Sequence, residues 1–182
     1  MNIVVISASP NKDGLTAACT AAALEGIRAA GGKVQEIRLN ELRVGPCVIC
    51  ASGWGTCQTD HVCATIDAFQ PIHSRVCQAD GLILITPVYW GDMSEAAKAF
   101  TDRLRRCEAT LGAESHLAGK PVIAVAAAGG SGNGTITCLL SLERWIQHVR
   151  AATFDLISVN RWSRAYKLVT IRSAAQSMIT GA

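Results

Sequence analysis

Four cysteines cluster in the segment CVICASGWGTCQTDHVC, at Cys47, Cys50, Cys57 and Cys63. Thiolates at C-x2-C-x6-C-x5-C spacing meet the ligand count of a [4Fe–4S] cluster or a structural zinc. A metal-free loop of small residues is the third outcome, and spacing alone leaves all three open. His61, inside the segment, reads as a solvated loop residue. Cys19, Cys77, Cys107 and Cys138 lie on helical patterns and read as small core residues.

Three other stretches carry chemistry of a different kind. SASPNKDGLT supplies Ser7, Ser9, Asn11 and Thr16 just before a helix start, where backbone N–H groups and the helix dipole favour an anion. It is neither a Walker A loop nor a G-x-G-x-x-G fingerprint, which disfavours ATP and a Rossmann-type NAD site. TPVYWGDMS places Pro87, Tyr89 and Trp90 beside Gly91, suited to a flat ring lying against backbone. AGGSGNGT holds Gly129, Gly130, Gly132 and Gly134, whose successive amides can form an anion-binding nest. A phosphate loop, an aromatic turn and an amide nest together describe a flavin mononucleotide (FMN) site.

Alternating strands and helices must bring these loops together. NIVVI, GLILI and PVIAVAAA are short apolar, β-branched or small-residue runs, the pattern of strands buried on both faces. KVQEIRL alternates and reads as a less buried strand, and FDLISV as the fifth. Between them lie an alanine-rich helix ended by Gly31 and Gly32, a helix expected over 67–79 with Asp67 as cap, and a helix capped by Ser94. That third helix carries Ala97, Phe100, Leu104, Cys107 and Leu111 on one face. A further helix follows the glycine loop, and a closing helix is expected over 166–179. The fold class is therefore α/β: a doubly wound five-stranded parallel sheet, order 2-1-3-4-5, with helices on both faces. In that order the three loops leave neighbouring central strands and converge on one crevice at the carboxyl ends.

The 182 residues read as one domain, 1–182, with the cysteine-rich loop at about 45–65. A net charge of +3 and a pI near 8.5, with no basic block, argue against a nucleic-acid partner. The longest apolar run, VIAVAAA, is far short of the roughly 20 residues a membrane span needs. The start, MNIVVISASP, lacks the basic n-region of a secretory signal, so a reducing, cytoplasmic setting is expected.

Larger motifs add a resemblance. Ser7–Thr16 fits S-x-S-P-…-G-x-T, and Ala79–Arg103 reads ADGLILITPVYWGDMSEAAKAFTDR. AAAGGSGNGTITCLLSLERW and VNRWSRAYKL follow. With these the chain resembles, over nearly its whole length, the flavodoxin-like NAD(P)H-dependent FMN reductases, especially the branch of the iron–sulfur flavoproteins. The resemblance implies FMN held at its phosphate by Ser9, Asn11, Leu15 and Thr16 with Ser7. It implies Pro87, Val88, Tyr89, Trp90 and Gly91 along the isoalloxazine, and Gly129, Gly130 and Ser131 at its other edge. It places Trp162 over a flavin, its own or a partner subunit's; Asp102 and Arg103 fall in one of its motifs and read as a helix–loop ion pair. It implies hydride transfer from NAD(P)H to FMN, with no catalytic side chain assigned. The electron acceptor would be a quinone, flavin, azo or nitro compound, or a redox protein, and the assembly a homodimer or homotetramer. The alternative is an iron–sulfur flavoprotein that carries electrons through FMN and a [4Fe–4S] cluster. Gly53 stands where that branch has its third cysteine, so Cys57 would have to serve instead.

Overall fold

The computed structural model describes residues 1–181. β1 (Asn2–Ser7) leads to α1 (Leu15–Ala29), β2 (Lys33–Arg38) and the cysteine loop, which holds the four-residue α2 (Thr56–Thr59). Then come α3 (Phe69–Gln78), β3 (Gly81–Tyr89), β4 (Asp92–Met93), α4 (Glu95–Glu108), β5 (Pro121–Ala128), α5 (Thr135–His148), β6 (Ala152–Asn160) and α6 (Arg164–Thr180). The parallel sheet runs β2-β1-β3-β5-β6, which is the expected flavodoxin-like order of five strands. The two-residue β4 is additional. It folds back antiparallel on β3 with Tyr89 opposite Asp92.

Side-chain alternation along each central strand builds two cores. Ile3, Val5, Ile83, Ile85, Ile123 and Val125 face α1 and α6. Val4, Ile6, Leu84 and Ala124 face the other layer, with Phe69, Phe100, Leu104 and Leu142. Both faces are covered, which is why these strands read as unbroken apolar runs. On the first face, α1 meets α6 at Gly26, where an added Cβ would sit 2.3 Å from the Arg172 carbonyl oxygen.

Helix ends differ from the sequence expectation in instructive ways. α3 starts two residues later than 67, because Asp67 is held by more than the helix. It accepts from Phe69 N–H at 2.9 Å, as a capping residue does, but its other oxygen is bound to Gly45 N–H and Arg103. The Ser94 cap is present and accepts from Ala97 N–H at 3.3 Å.

Candidate functional site

The three loops meet at the carboxyl ends of β1, β3 and β5. They line a crevice of about 280 Å³ whose walls include Ser9, Asn11, Leu15, Thr16, Pro87 and Val88. Tyr89, Gly129 and Gly130 complete it, with Gly14 and Ala127, which sequence reasoning missed. Both are small residues at the end of a loop or strand, where a larger side chain would occupy the crevice; that is the signal that could have found them.

At one end, the first turn of α1 has no side-chain cap and no acidic residue, so its N–H groups face the crevice without a competitor. Ser9 Oγ accepts from Asn11 N–H at 3.2 Å, which shapes the loop, and Thr16 is buried. Ser7, also buried, ends β1 and borders the adjoining cleft of Ser9 and Asn11 rather than the crevice itself. At the other end, α5 likewise starts without a side-chain cap, at Gly134. Gly129 and Gly130 have no atom within 4 Å of where a Cβ would be. Uncapped amides, hydroxyls, an aromatic wall and open glycine backbone fit FMN.

The loops are tied to one another. Ser94 Oγ donates to the Ala8 carbonyl at 2.8 Å, and Ser94 N–H donates to Thr86 Oγ1 at 3.0 Å, joining the first two loops. Thr137 Oγ1 donates to the Gly91 carbonyl at 2.7 Å, joining the second to α5. Gly134 lies so close to Gly91 that a Cβ on it would stand 2.7 Å from the Gly91 Cα.

Trp90, Gly91, Ser131 and Trp162 are not among the lining residues. Trp90 and Gly91 are the two central residues of the β3–β4 hairpin, both with positive φ (52° and 82°), the pattern of a type I′ turn. That turn sends the Trp90 side chain fully into solvent. Trp162 leans on the third loop from outside; a Cβ on Gly132 would meet its ring at 2.4 Å, and Arg161 stacks on it at 4.4 Å.

A second, smaller pocket brings Cys47, Cys50, Cys57 and Cys63 together with Arg103 and Arg106. Gly53 is not near them in role: its φ is +116° and nothing lies beside it, while Cys57 takes the inward position. Cys50 Sγ packs where a Cβ on Gly55 would be, 2.7 Å away. Arg103, 1 % exposed, organises the loop: it donates to Asp67 at 2.6 Å, to the carbonyls of Gly45 and Thr65, and to Cys63 Sγ at 3.3 Å. So Arg103 does form a helix–loop ion pair, whereas Asp102 pairs with Lys98 along α4. Burial alone would raise the Asp67 pKa, but the Arg103 hydrogen bond and the N–H groups of Gly45 and Phe69 hold it below the ordinary value. Arg106 lies over Trp54 at 4.2 Å. The Nε atoms of Arg103 and Arg106 are buried with no hydrogen-bond partner, so two cationic groups border the cysteines with donors unused. Ile49, Ala51, Ser52 and His61, all in this loop, adopt left-handed backbone, a strained choice for residues with a Cβ.

His61 is half-buried and its Nδ1 lies 3.0 Å from Thr110 Oγ1. Cys19, Cys107 and Cys138 are core residues whose thiols burial pushes up to about 12. Cys77 departs from that expectation: it is half-buried and its thiol lies 3.4 Å from Glu108.

Comparison with known proteins places this geometry. The iron–sulfur flavoprotein MJ1083 of Methanocaldococcus jannaschii is 33% identical over 105 residues, covering 58% of this chain and 52% of that protein. The chain thus spans about half the length of the curated relatives it matches. Among solved structures, a flavone reductase superposes with a TM-score of 0.77 at 16% identity, over 100% of this chain and 62% of that one. An NAD(P)H:quinone oxidoreductase from Methanothermobacter marburgensis gives 0.72 at 17%, over 98% and 96%. These likenesses are of fold. The family model for NADPH-dependent FMN reductase matches residues 1–161, and the chain belongs to that family.

Proposed function

We propose that the chain is an FMN-dependent oxidoreductase that takes hydride from NAD(P)H and delivers electrons to a small-molecule or protein acceptor. The observation that carries this reading is the convergence of phosphate loop, aromatic turn and glycine loop on one crevice. The uncapped start of α1, with Ser9, Asn11 and Thr16, would hold the phosphate. Pro87, Val88 and Tyr89 would orient the ring, and the amides of Gly129 and Gly130 would face its other edge. When bound, FMN supplies the hydride acceptance and the onward electron transfer. The chain's part is to bind, orient and polarise, and no side chain in the crevice is required as an acid or base. The acceptor belongs to the same set of quinones, flavins, azo or nitro compounds and redox proteins. Among the described residues no helix is long and apolar enough to cross a membrane. Cofactor extraction after purification tests the binding step: FMN, one per chain, is the expected yield, and FAD alone or no uptake of added FMN contradicts it.

The cysteine pocket supports a second component. Four sulfurs line one small cavity, and two arginines with unpartnered Nε atoms border it, which suits an anionic four-thiolate [4Fe–4S] group. Iron analysis on protein prepared without oxygen tests it.

A further inference from the structure

The Glu108 carboxylate, at the end of α4, is fully buried, and flavin chemistry gives it no task. Its two oxygens are used differently. Oε2 accepts from the Ser115 hydroxyl at 3.0 Å and from His116 N–H at 2.8 Å, which fixes the carboxylate plane. Oε1 faces two imidazoles and a thiol: His73 Nε2 at 2.7 Å, His116 Nδ1 at 3.3 Å and Cys77 Sγ at 3.4 Å. Among the described residues, His73, Cys77 and Glu108 are the only trio of His, Cys, Asp and Glu whose ligand atoms all lie within 4.8 Å of one another.

The backbone prepares this arrangement. His73 and Cys77 are four residues apart on α3 and share one helix face. The Phe69 ring stacks on His73 with centroids 5.5 Å apart and sets the imidazole plane. Lys120 Nζ donates to the Cys77 carbonyl at 2.6 Å and holds the last turn of α3. The single Ser115 hydroxyl proton is shared between Glu108 Oε2 and the Val149 carbonyl, 2.8 Å away, which anchors the segment that presents His116.

We propose that His73, Cys77, Glu108 and His116 form a closed, four-ligand site for a divalent cation of the zinc class. Zinc bonds of about 2.0–2.1 Å to nitrogen, 2.0–2.2 Å to oxygen and 2.3 Å to sulfur imply tetrahedral edges of about 3.3 Å for N···O and about 3.6 Å for S···O. The His116 and Cys77 distances to Oε1 already lie near those edges. His73 must withdraw by about 0.6 Å on the same arithmetic, and the exposed His116, which lies outside the trio held within 4.8 Å, must swing inward to complete the site. Binding would release the Cys77 thiol proton, and thiolate plus carboxylate would balance the two positive charges with both imidazoles neutral. One thiolate and two imidazoles select zinc, cobalt or ferrous iron over magnesium or calcium. α4 starts beside the flavin crevice at Ser94 and ends at Glu108, about 20 Å along at 1.5 Å per residue. The cation therefore staples the ends of α3 and α4 and takes no part in electron transfer.

Cobalt(II) is the probe, titrated anaerobically into the FMN-loaded chain and into its Cys77→Ser and His116→Gln variants. The wild type should take up a cobalt with a thiolate-to-cobalt charge-transfer band. Cys77→Ser should lose one cobalt equivalent and that contribution to the band, even where the cysteine loop binds metal of its own. His116 is exposed, so His116→Gln should fold normally, yet bind that cobalt about 10- to 100-fold more weakly. Zinc should raise the melting temperature of the wild type by more than that of Cys77→Ser. Absence of cobalt uptake, or a cobalt count unaffected by both substitutions, would overturn the proposal.

Discussion

Ser94 Oγ donates to the Ala8 carbonyl at 2.8 Å, joining residues 86 positions apart in the chain. The same oxygen accepts the Ala97 N–H that starts α4. One hydroxyl thus caps a helix and clamps the first loop of the crevice to the second. Ser94→Ala should lower stability by about 1–2 kcal/mol in chemical denaturation, the usual cost of a lost N-cap. Because Ser94 does not line the crevice, any loss of FMN affinity in that variant measures how far loop positioning depends on the clamp.

Gly134 and Gly129 should separate packing from binding. Gly134→Ala puts a methyl 2.7 Å from the Gly91 Cα at a φ of +79°, so it should cost about 1–3 kcal/mol of stability and also weaken FMN. Gly129→Ala meets nothing within 4 Å in the protein. Its stability should stay within about 0.5 kcal/mol of wild type, and its effect should appear in the flavin titration instead.

Arg103→Met should leave Asp67 partly buried without its cation, at a cost of about 3 kcal/mol, and should loosen the cysteine loop through loss of the Gly45 and Thr65 contacts. The pH dependence has a definite sign. The folded-state pKa of Asp67 is depressed, so its stabilisation is fully present above the unfolded-state value near 4 and is lost as the pH falls below it. Denaturation midpoints across that acid range should fall steeply for wild type and less steeply for Arg103→Met.

Cys57→Ser should abolish bound iron in anaerobically prepared protein while leaving FMN in place, since Cys57 lines the cysteine pocket and not the crevice. Iron retained at the wild-type level would remove Cys57 from the ligand set.

Much of this was legible in the residues. The central strands are buried on both faces, so their apolar runs announced a parallel sheet, and its order brought the three loops together. Thr16, Pro87 and Gly129 could be placed from loop composition because crevice walls need hydroxyls, a stiff turn and bare backbone. Trp90 was less legible. Its aromatic character suggests a ring contact, but its fate depends on a hairpin whose second strand is only two residues, too short for any periodicity. Asp67 reads locally as a helix cap; that Arg103, 36 positions away, claims it is a tertiary fact. Cys77 sits on a helical pattern like Cys107, and only the fold reveals that it faces Glu108 and His73.

The most direct test is anaerobic mixing of the FMN-loaded chain with NADH and with NADPH while the flavin absorbance is followed. The account predicts that at least one nicotinamide bleaches the bound flavin at one equivalent per chain. Flavin that dithionite bleaches but neither nicotinamide does would contradict it.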